Sequence, residues 1–278
     1  MIPKNLEMNK LTWMFLKIVP RNWLSRTIGR LVNTPLPAPF RLWSLRWFSQ
    51  RYKINEDEAE KALTEYQSIG AFFVRRLKPG LRPIQGPWAH PCDAQLTEFG
   101  TIENGQIIQA KGIGYSVFEL IGDARLAETF EGGHYLTYYL CPTDYHRVHA
   151  PTDIKVDQVI HLPGDLWPVN ADSVKKIPKL FTINERLVVM DSEKSLAMVF
   201  VGATNVGEIS LSFDQDLRTN IGFGKILKKI YPNPIDLKCG EEVGTFHMGS
   251  TIVLLLGKQH QLNLKPPLVV KMGSVLPV

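Results

Sequence analysis

Cysteine and long apolar runs are scarce in this 278-residue chain, and each scarcity excludes a class of protein. Its three cysteines, Cys92, Cys141 and Cys239, are odd in number and form no CxxC pair. That pattern argues against a disulfide scaffold or a zinc knuckle and indicates a reducing compartment. No stretch approaches the ~20 apolar residues that cross a bilayer. The best candidate, residues 11–20, is interrupted by Lys17 and lacks the cleavage pattern of a secretory signal, so we expect a cytoplasmic protein.

Acidic residues are almost missing from the first 53 positions. This segment, the basic arm, contains ten Lys or Arg and one acid, Glu7, so its formal charge is +9 while the other 225 residues carry −4. Four of the six tryptophans also lie there: Trp13, Trp23, Trp43 and Trp47. Trp mixed with basic residues is typical of a helix that lies in a membrane interface.

Two alternatives exist for the basic arm. It could stack on single-stranded nucleic acid, but no nucleic-acid-binding module is recognisable. It could also be a helical cover on the core, with its tryptophans pointing inward. We expect the arm to bind an anionic membrane surface and not nucleic acid.

Apolar spacing predicts helices in the first 82 residues. The apolar residues recur in two groups, which are Leu24, Ile28 and Leu31, and then Leu42, Leu45 and Phe48. Prolines at positions 35, 37 and 39 separate the groups. Residues 56–66 combine strong helix formers with acids in the first turn, which predicts a further helix. We therefore assign residues 1–82 to a helical, membrane-associating N-terminal segment.

Beyond residue 82 the pattern changes to short β-type runs. Runs of valine, isoleucine and aromatic residues are bounded by turn formers, and they occupy residues 102–108, 135–140, 156–162, 187–190, 197–201, 209–213 and 252–256. Asn104-Gly105 is a hairpin turn signal. The fold class predicted is α+β, with a helical cover on a mixed-to-antiparallel sheet domain that spans residues 83–278.

Three clusters contain residue types that carry chemistry. They are residues 90–94 (HPCDA), 139–151 (YLCPTDYHRVHAP) and 240–251 (GEEVGTFHMGST). Each is weak alone, because an Asp in a turn, a His-x-x-His pair and a Gly-Ser-Thr turn are all commonly structural. A motif gains weight only when its surroundings fit.

Together the clusters resemble the phosphatidylserine decarboxylase family. FFVRRL at residues 72–77 with RPI at 82–84 is similar to the family's FF-x-R-x-L…RPI segment, and DYHRVHAP at 144–151 is similar to its DYHR-x-H-x-P signature. Further blocks follow in the family's order at residues 111–122, 164–170, 184–186, 201–207 and 244–251. Two positions depart from the family pattern. Ala94 stands where the family usually has Gly, and Met248 stands where it usually has Leu.

The resemblance implies a self-processing enzyme. Cleavage between Gly249 and Ser250 would give chains of residues 1–249 and 250–278, and would convert Ser250 into a pyruvoyl cofactor. His149 is implied as the base that activates Ser250, with Asp93 as its orienting carboxylate. In turnover the pyruvoyl would form a Schiff base with phosphatidylserine, which loses CO2 to become phosphatidylethanolamine, and His146 would transfer the proton.

The residue types agree with that chemistry. Decarboxylation next to an amine needs an electron sink, and a Ser that follows a small residue can attack the preceding carbonyl. Met272-Gly273-Ser274 nearly repeats the motif but would release only residues 274–278, so we interpret it as a turn.

Lipid and membrane contacts are also expected. An apolar lip that includes Tyr115, Phe118 and Leu120 would hold acyl chains, although an ordinary core strand is an equal alternative. The resemblance places the protein peripherally on the cytoplasmic face of the inner membrane, and a homodimer is compatible with such an enzyme.

Two functions of other classes compete with this prediction. A metal-dependent hydrolase would use Asp93, His146 and His149 as ligands, yet residues three apart on a strand face opposite sides, and Ser250 would have no role. We therefore expect no metal. A catalytically inactive membrane-binding module is the second alternative, and the complete set of Asp93, His146, His149 and Ser250 argues against it.

Overall fold

The computed structural model describes residues 13–14, 18–110, 112–204, 208–220, 224–247 and 250–278, with Ser250 described by its backbone. Its helices are α1 (Arg21–Asn33), α2 (Ala38–Tyr52), α3 (Ile69–Phe73), α4 (Val117–Ile121), α5 (Ala124–Glu128), α6 (Ala171–Lys176) and α7 (Leu180–Ile183). The two longest, α1 and α2, coincide with the two predicted apolar groups. The break between them contains Pro35 and Pro37, which confirms the predicted separation.

The helix predicted over residues 56–66 is wrong. Only two short 3₁₀ turns form there, Glu56–Glu58 and Leu63–Glu65. The backbone between them pairs with residues 76–78 instead: Glu60 N donates to the carbonyl of Arg76, and Lys78 N donates to the carbonyl of Glu58. These long-range hydrogen bonds replace the local ones that a helix would make, so tertiary pairing overrides propensity.

The body of the protein is an antiparallel sheet. Its strands are β1 (Ala94–Thr101), β2 (Gln106–Ala110), β3 (Ile113–Ser116), β4 (His134–Leu140), β5 (Arg147–His149), β6 (Ile154–Leu162), β7 (Arg186–Asp191), β8 (Leu196–Val201), β9 (Ile209–Leu211), β10 (Leu227–Leu237), β11 (Glu242–Phe246), β12 (Ser250–Leu256) and β13 (Leu268–Val270). Eight of them form one sheet in the order β10-β6-β7-β8-β12-β4-β1-β13, and every neighbouring pair is antiparallel. A three-stranded sheet (β5-β11-β9) and the β2–β3 pair complete the described strands. The α+β prediction is confirmed.

Asn104 and Gly105 form the predicted tight turn. Both residues have positive φ angles, 52° and 65°, and Gln106 N donates back to the carbonyl of Glu103. Asn and Gly tolerate this left-handed conformation better than other residues, which is why the pair specifies the turn.

Two separate hydrophobic clusters hold the fold. The larger surrounds the eight-stranded sheet, in which every residue of β7 and β8 is buried. The smaller joins α2 and α3 to the segment between them, and its members are Leu45, Phe48, Ile54, Tyr66, Phe72 and Phe73. Helix α1 meets the sheet body by other means: the Arg21 guanidinium pairs with the carboxylate of Asp165 and lies 3.8 Å from the centre of the Trp167 ring.

The outer surface of α1 and α2 is apolar and aromatic. On α2, Phe40, Trp43 and Trp47 are 65%, 67% and 52% exposed, and on α1 Trp23 is similarly exposed. The opposite side of α2 carries the buried Leu45 and Phe48, so this helix has apolar residues on two faces. Three of the four tryptophans of the basic arm thus point outward, contrary to the alternative of an inward-facing cover. In the part of the chain that the structure describes, no helix has the length and hydropathy needed to span a bilayer.

Candidate active site

Three strand ends meet at the edge of the large sheet where the predicted site residues lie. Ser250 is the first residue of β12 and pairs with Leu140, the last residue of β4. On the other side of β4, Gln95 pairs with Tyr139, so Asp93 lies immediately before the start of β1. Two inter-strand spacings, ~10 Å, separate β1 from β12 at this edge. Gly249 and Met248 lie outside the described residues.

His146 is fully buried and has one unpartnered ring nitrogen. Its Nδ1 lies 2.9 Å from the carbonyl oxygen of Asp144, which can only accept, so Nδ1 carries the proton. Its Nε2 has no hydrogen-bond partner among the described residues. The Phe73 ring packs on the imidazole with the ring centroids 4.0 Å apart, and burial lowers the pKa of His146 to about 3. The imidazole is therefore neutral, with a free lone pair on Nε2.

The loop that carries His146 is itself held by hydrogen bonds. Cys141 N donates to Asp144 Oδ2 at 2.8 Å, and burial raises the pKa of the Asp144 carboxyl to about 6. Arg75 Nη2 lies 3.1 Å from the carbonyl of Thr143 and 3.4 Å from that of Asp144. The Asp144 carbonyl is thus shared by Arg75 and His146. Arg75 is buried, and its Nε and Nη1 have no partner in the described part of the chain.

His149 lies on β5 with both ring nitrogens engaged. Its Nδ1 donates to the carbonyl of Gly240 at 2.8 Å, and its Nε2 lies 3.1 Å from the hydroxyl of Tyr145, whose ring stacks on the imidazole. Burial is the main reason that the pKa of His149 is lowered. The Gly240 carbonyl therefore fixes the tautomer that leaves Nε2 as the basic nitrogen.

Asp93 is a buried carboxylate surrounded by donors. Arg82 donates to it through Nε and Nη2 at 2.9 and 2.7 Å, Lys271 Nζ lies at 2.9 Å, and Met272 N donates at 2.9 Å. Arg82 also pairs with Glu58 at 2.7 Å. Burial alone would raise the pKa of this carboxyl, but the bonds from Arg82 and Lys271 outweigh it, so the pKa of Asp93 is lowered.

The direct hydrogen bond expected between Asp93 and His149 is absent from the described structure. A backbone bond from His149 N to the carbonyl of Pro91 brings the two residues to the same corner. Their side chains are not joined, because Arg82, Lys271 and Met272 use the carboxylate oxygens and Gly240 uses Nδ1.

The three side chains of the metal alternative do not converge. Among the described residues, no group of three His, Cys, Asp or Glu side chains is arranged to hold a metal ion. The two nitrogens of His149 contact Gly240 and Tyr145, and Asp93 is enclosed by cations.

The apolar lip is mostly core. Tyr115 and Leu120 are fully buried in the main cluster, as in the core-strand alternative, and Phe118 alone of the three is exposed. The reason is local: Tyr115 is on β3, and Leu120 is on the inner side of α4.

The near-repeat at residues 272–274 is the turn that was predicted. Gly273 has a φ of 85°, and Ser274 N donates to the carbonyl of Lys271. This turn also aims Met272 N at Asp93.

Sequence reasoning missed the residues that contact the site from other segments. They are Arg75, Arg82, Tyr145, Gly240 and Lys271. Arg75, Arg82 and Tyr145 belong to quoted motifs, but a motif does not reveal which atom its side chain meets. Lys271 gave no signal apart from its position next to the repeated Met-Gly-Ser.

Known proteins are similar to this chain over most of its length. The family model for phosphatidylserine decarboxylase matches residues 69–276. A phosphatidylserine decarboxylase proenzyme of Anaeromyxobacter sp. (strain K) is 42% identical over 270 residues, which cover 94% of this chain and 95% of the relative. Those of Myxococcus xanthus and Vibrio cholerae are 38% and 42% identical, over 96% and 87% of this chain and 98% and 88% of their own lengths.

The match therefore includes the sheet, the loop of His146, the Asp93 corner and the strand that begins at Ser250, and the relatives extend it into the basic arm. The chain belongs to the phosphatidylserine decarboxylase family.

Proposed function

We propose that this chain is a proenzyme that cleaves itself between Gly249 and Ser250, and that the processed protein converts phosphatidylserine into phosphatidylethanolamine and CO2. The family and the names of its relatives support the reaction. The observation that supports the proposal in the structure is that Ser250 begins β12 opposite Leu140, the last residue of β4, while β4 also pairs with β1 next to Asp93 and leads into the loop that carries His146.

Self-cleavage requires a base for the Ser250 hydroxyl, and we assign this role to His149. Loss of the hydroxyl proton lets Oγ attack the carbonyl carbon of Gly249, which exchanges the peptide bond for an ester. Removal of the Ser250 α-proton then breaks the Cβ–Oγ bond and leaves Gly249 as a carboxylate. Water converts the dehydroalanine at position 250 into a pyruvoyl group and releases ammonia. The Nδ1–H tautomer of His149, held by Gly240, makes Nε2 the basic nitrogen, which accepts the Ser250 proton when it releases its hydrogen bond from the Tyr145 hydroxyl.

The surroundings of position 250 fit such a group. Residues 251–256 are buried between β4 and β8, so hydrogen bonds on both sides hold the new chain end. Two buried polar atoms of the candidate site have no partner among the described residues, Thr251 Oγ1 and His146 Nε2. Buried polar atoms are rarely left unpaired, and a carbonyl group with its bound substrate would give them partners.

In turnover we assign the proton transfer to Nε2 of His146. The pyruvoyl carbonyl, when formed, supplies the sink for the electron pair that CO2 leaves behind. The substrate ammonium must lose a proton before its nitrogen can react, and the carbon that loses CO2 must gain one. A neutral imidazole with a free Nε2 can accept the first proton and deliver the second. Arg75 holds the carbonyl that fixes the ring of His146.

The basic arm supports a peripheral position on an anionic membrane. The exposed Phe40, Trp43 and Trp47 lie on one side of α2, beside the basic Arg46. Aromatic residues that bury in the headgroup layer, next to cations that meet anionic lipid, are the two attractions that hold interfacial helices. We assign residues 1–82 to membrane association and residues 83–278 to the chemistry.

The test has two independent arms. The denatured mass of the purified chain, beside a Ser250→Ala control, should show two chains of 249 and 29 residues (1–249 and 250–278) in the wild type and one chain in the control. The small chain should be blocked to Edman degradation. Phosphatidylserine in mixed micelles should then yield CO2 with the cleaved protein only. If the wild-type chain keeps a single intact mass, the proposal of a pyruvoyl cofactor is wrong. If the chain is cleaved but releases no CO2, the proposal that phosphatidylserine is the substrate is wrong.

A further inference from the structure

A cavity of about 430 Å³ lies between helix α1 and the β9–β11 side of the small sheet. It is lined by Arg26, Gly29, Arg30 and Asn33 of α1, and by Glu208, Thr219, Asn220 and His247. Seven of the eight lining residues have polar or charged side chains. Their donors suit a small charged group.

The cavity is next to the predicted cleavage segment. His247 follows the last residue of β11 and comes three positions before Ser250. Its backbone N donates to the carbonyl of Glu208, and Phe246 N donates to the carbonyl of His146. The end of β11 is therefore hydrogen-bonded to the backbone of His146, and the next residue, His247, lines the cavity.

The net charge of the lining is positive. Arg26 and Arg30 are one helical turn apart and share a face of α1. Neither forms an ion pair or side-chain hydrogen bond with any described residue, whereas Glu208 is paired with Arg218 at 3.0 Å. His247 Nε2 contacts the hydroxyl of Ser210 at 2.8 Å, and burial is the main reason that its pKa is lowered, so the imidazole adds no charge at pH 7. Within the residues that the structure describes, these two guanidinium groups therefore have no anionic partner.

We propose that Arg26 and Arg30 bind the phosphodiester of the substrate headgroup. The inference rests on the proposed function, because it takes phosphatidylserine as the substrate. Two carbon atoms and an ester oxygen separate the amine of that headgroup from its phosphorus, so an amine at position 250 places the phosphate within a short distance of the cleavage segment. A guanidinium fork matches two phosphate oxygens.

Binding of a phosphodiester predicts a change in KM more than in kcat. The test uses the processed enzyme with dihexanoyl phosphatidylserine below its micellar concentration, so that no charged surface is present. Arg26→Gln and Arg30→Gln should each raise KM about tenfold, the low end for a lost charged hydrogen bond. Arg30→Lys should recover part of the loss. The matched control is Arg125→Gln on α5, which removes an equally positive, exposed side chain that does not line the cavity.

Each other outcome has a definite meaning. An unchanged KM, or an equal rise in the Arg125 control, would overturn the assignment. A rise with anionic vesicles but not with the monomeric lipid would show that the arginines act on the membrane surface, which also overturns it. If Arg26→Gln fails to cleave into two chains, Arg30→Gln is decisive, because Arg30 is exposed and holds no described partner.

A binding measurement separates this inference from the proposed function. Glycerophosphoserine, which has the headgroup without acyl chains, should bind the Ser250→Ala chain in calorimetry and lose about tenfold in affinity with Arg30→Gln. If the wild type releases no CO2 but Arg30→Gln weakens the binding of glycerophosphoserine, the proposed reaction is wrong and the assignment of the cavity is retained. If CO2 is released and no difference is found, the cavity assignment fails alone.

Discussion

Asp93→Asn distinguishes two roles for this carboxylate, and the structure predicts the larger effect on stability. The carboxylate is 2% exposed and receives hydrogen bonds from four donor atoms of three residues, Arg82, Lys271 and Met272. Asparagine is nearly the same size, but it has no charge and turns an NH2 group towards those donors. If Asp93 instead served mainly to orient His149, the substitution would stop processing and leave the stability nearly unchanged.

The expected loss of stability in Asp93→Asn follows from the ion pairs that Arg82 and Lys271 lose. Removal of one partner from a buried ion pair costs about 3–5 kcal/mol. Lys271 is 54% exposed and can turn to water, and Arg82 keeps its bond to Glu58, so the lower part of that range applies. We expect Asp93→Asn to lower the free energy of unfolding by about 3 kcal/mol.

Urea unfolding in the Ser250→Ala background measures this change, because the uncleaved chain avoids dissociation of fragments. The control is Asp153→Asn, an exposed carboxylate paired with the exposed Lys238, whose loss should be too small to resolve. The pKa of Asp93 is lowered in the folded state, so its stabilisation is complete above the unfolded value of about 3.9 and is lost as the pH falls through the folded pKa. A loss below ~1 kcal/mol at pH 7, the level of an exposed pair, would refute the reasoning.

Three further predictions concern the remaining residues of the site and the arm. His146→Ala should leave cleavage into two chains intact but reduce CO2 release by about 10²-fold or more, because only the second reaction uses its Nε2; equal loss of both reactions would contradict this separation. Tyr145→Phe should speed cleavage on a time-course gel or leave it unchanged, since it removes a donor from Nε2 of His149, and a block of cleavage would show that the hydroxyl takes part. The double substitution Trp43→Ser and Trp47→Ser should lower the affinity for anionic vesicles, measured by co-sedimentation, by about tenfold or more, because two tryptophans no longer bury their apolar area in the membrane. The control Ile230→Ser on β10, which changes a similarly exposed residue outside the arm, should leave this affinity unchanged.

The sequence predicted elements best where one local signal is sufficient. Apolar spacing located α1 and α2, and Asn104-Gly105 specified its turn because few other pairs adopt two positive φ angles. The prediction from sequence failed at residues 56–66, where hydrogen bonds to Arg76 and Lys78 replace the helix that the composition favours. Strand β10 was not predicted either, because Pro232 and Pro234 argue against a strand in the sequence. The structure accommodates these prolines because β10 is an edge strand, paired only with β6 in the large sheet.

The site was predictable in its members and not in their bonds. The motifs specified Asp93, His146 and His149, and a backbone bond from His149 N to the carbonyl of Pro91 brings the His149 strand next to the Asp93 segment. Their hydrogen-bond partners come from distant segments: Lys271 lies 178 positions from Asp93, and Gly240 lies 91 positions from His149. Sequence spacing carries no information about such pairs. The sequence therefore led to a predicted bond between Asp93 and His149, whereas in the fold Asp93 binds Arg82 and His149 binds the carbonyl of Gly240.

Strand β12 lies between β4 and β8, and β13 closes the far edge of the same sheet on β1. A cut before Ser250 would therefore leave the 29-residue piece paired with the rest of the sheet through β12 and β13, and we expect the native shape to be kept. What changes is the molecularity of folding. Before the cut, refolding is a first-order search by one chain; afterwards, two chains must find each other, and the midpoint of unfolding depends on protein concentration. The cleaved protein would thus keep its native fold but, once unfolded, would refold slowly at high dilution.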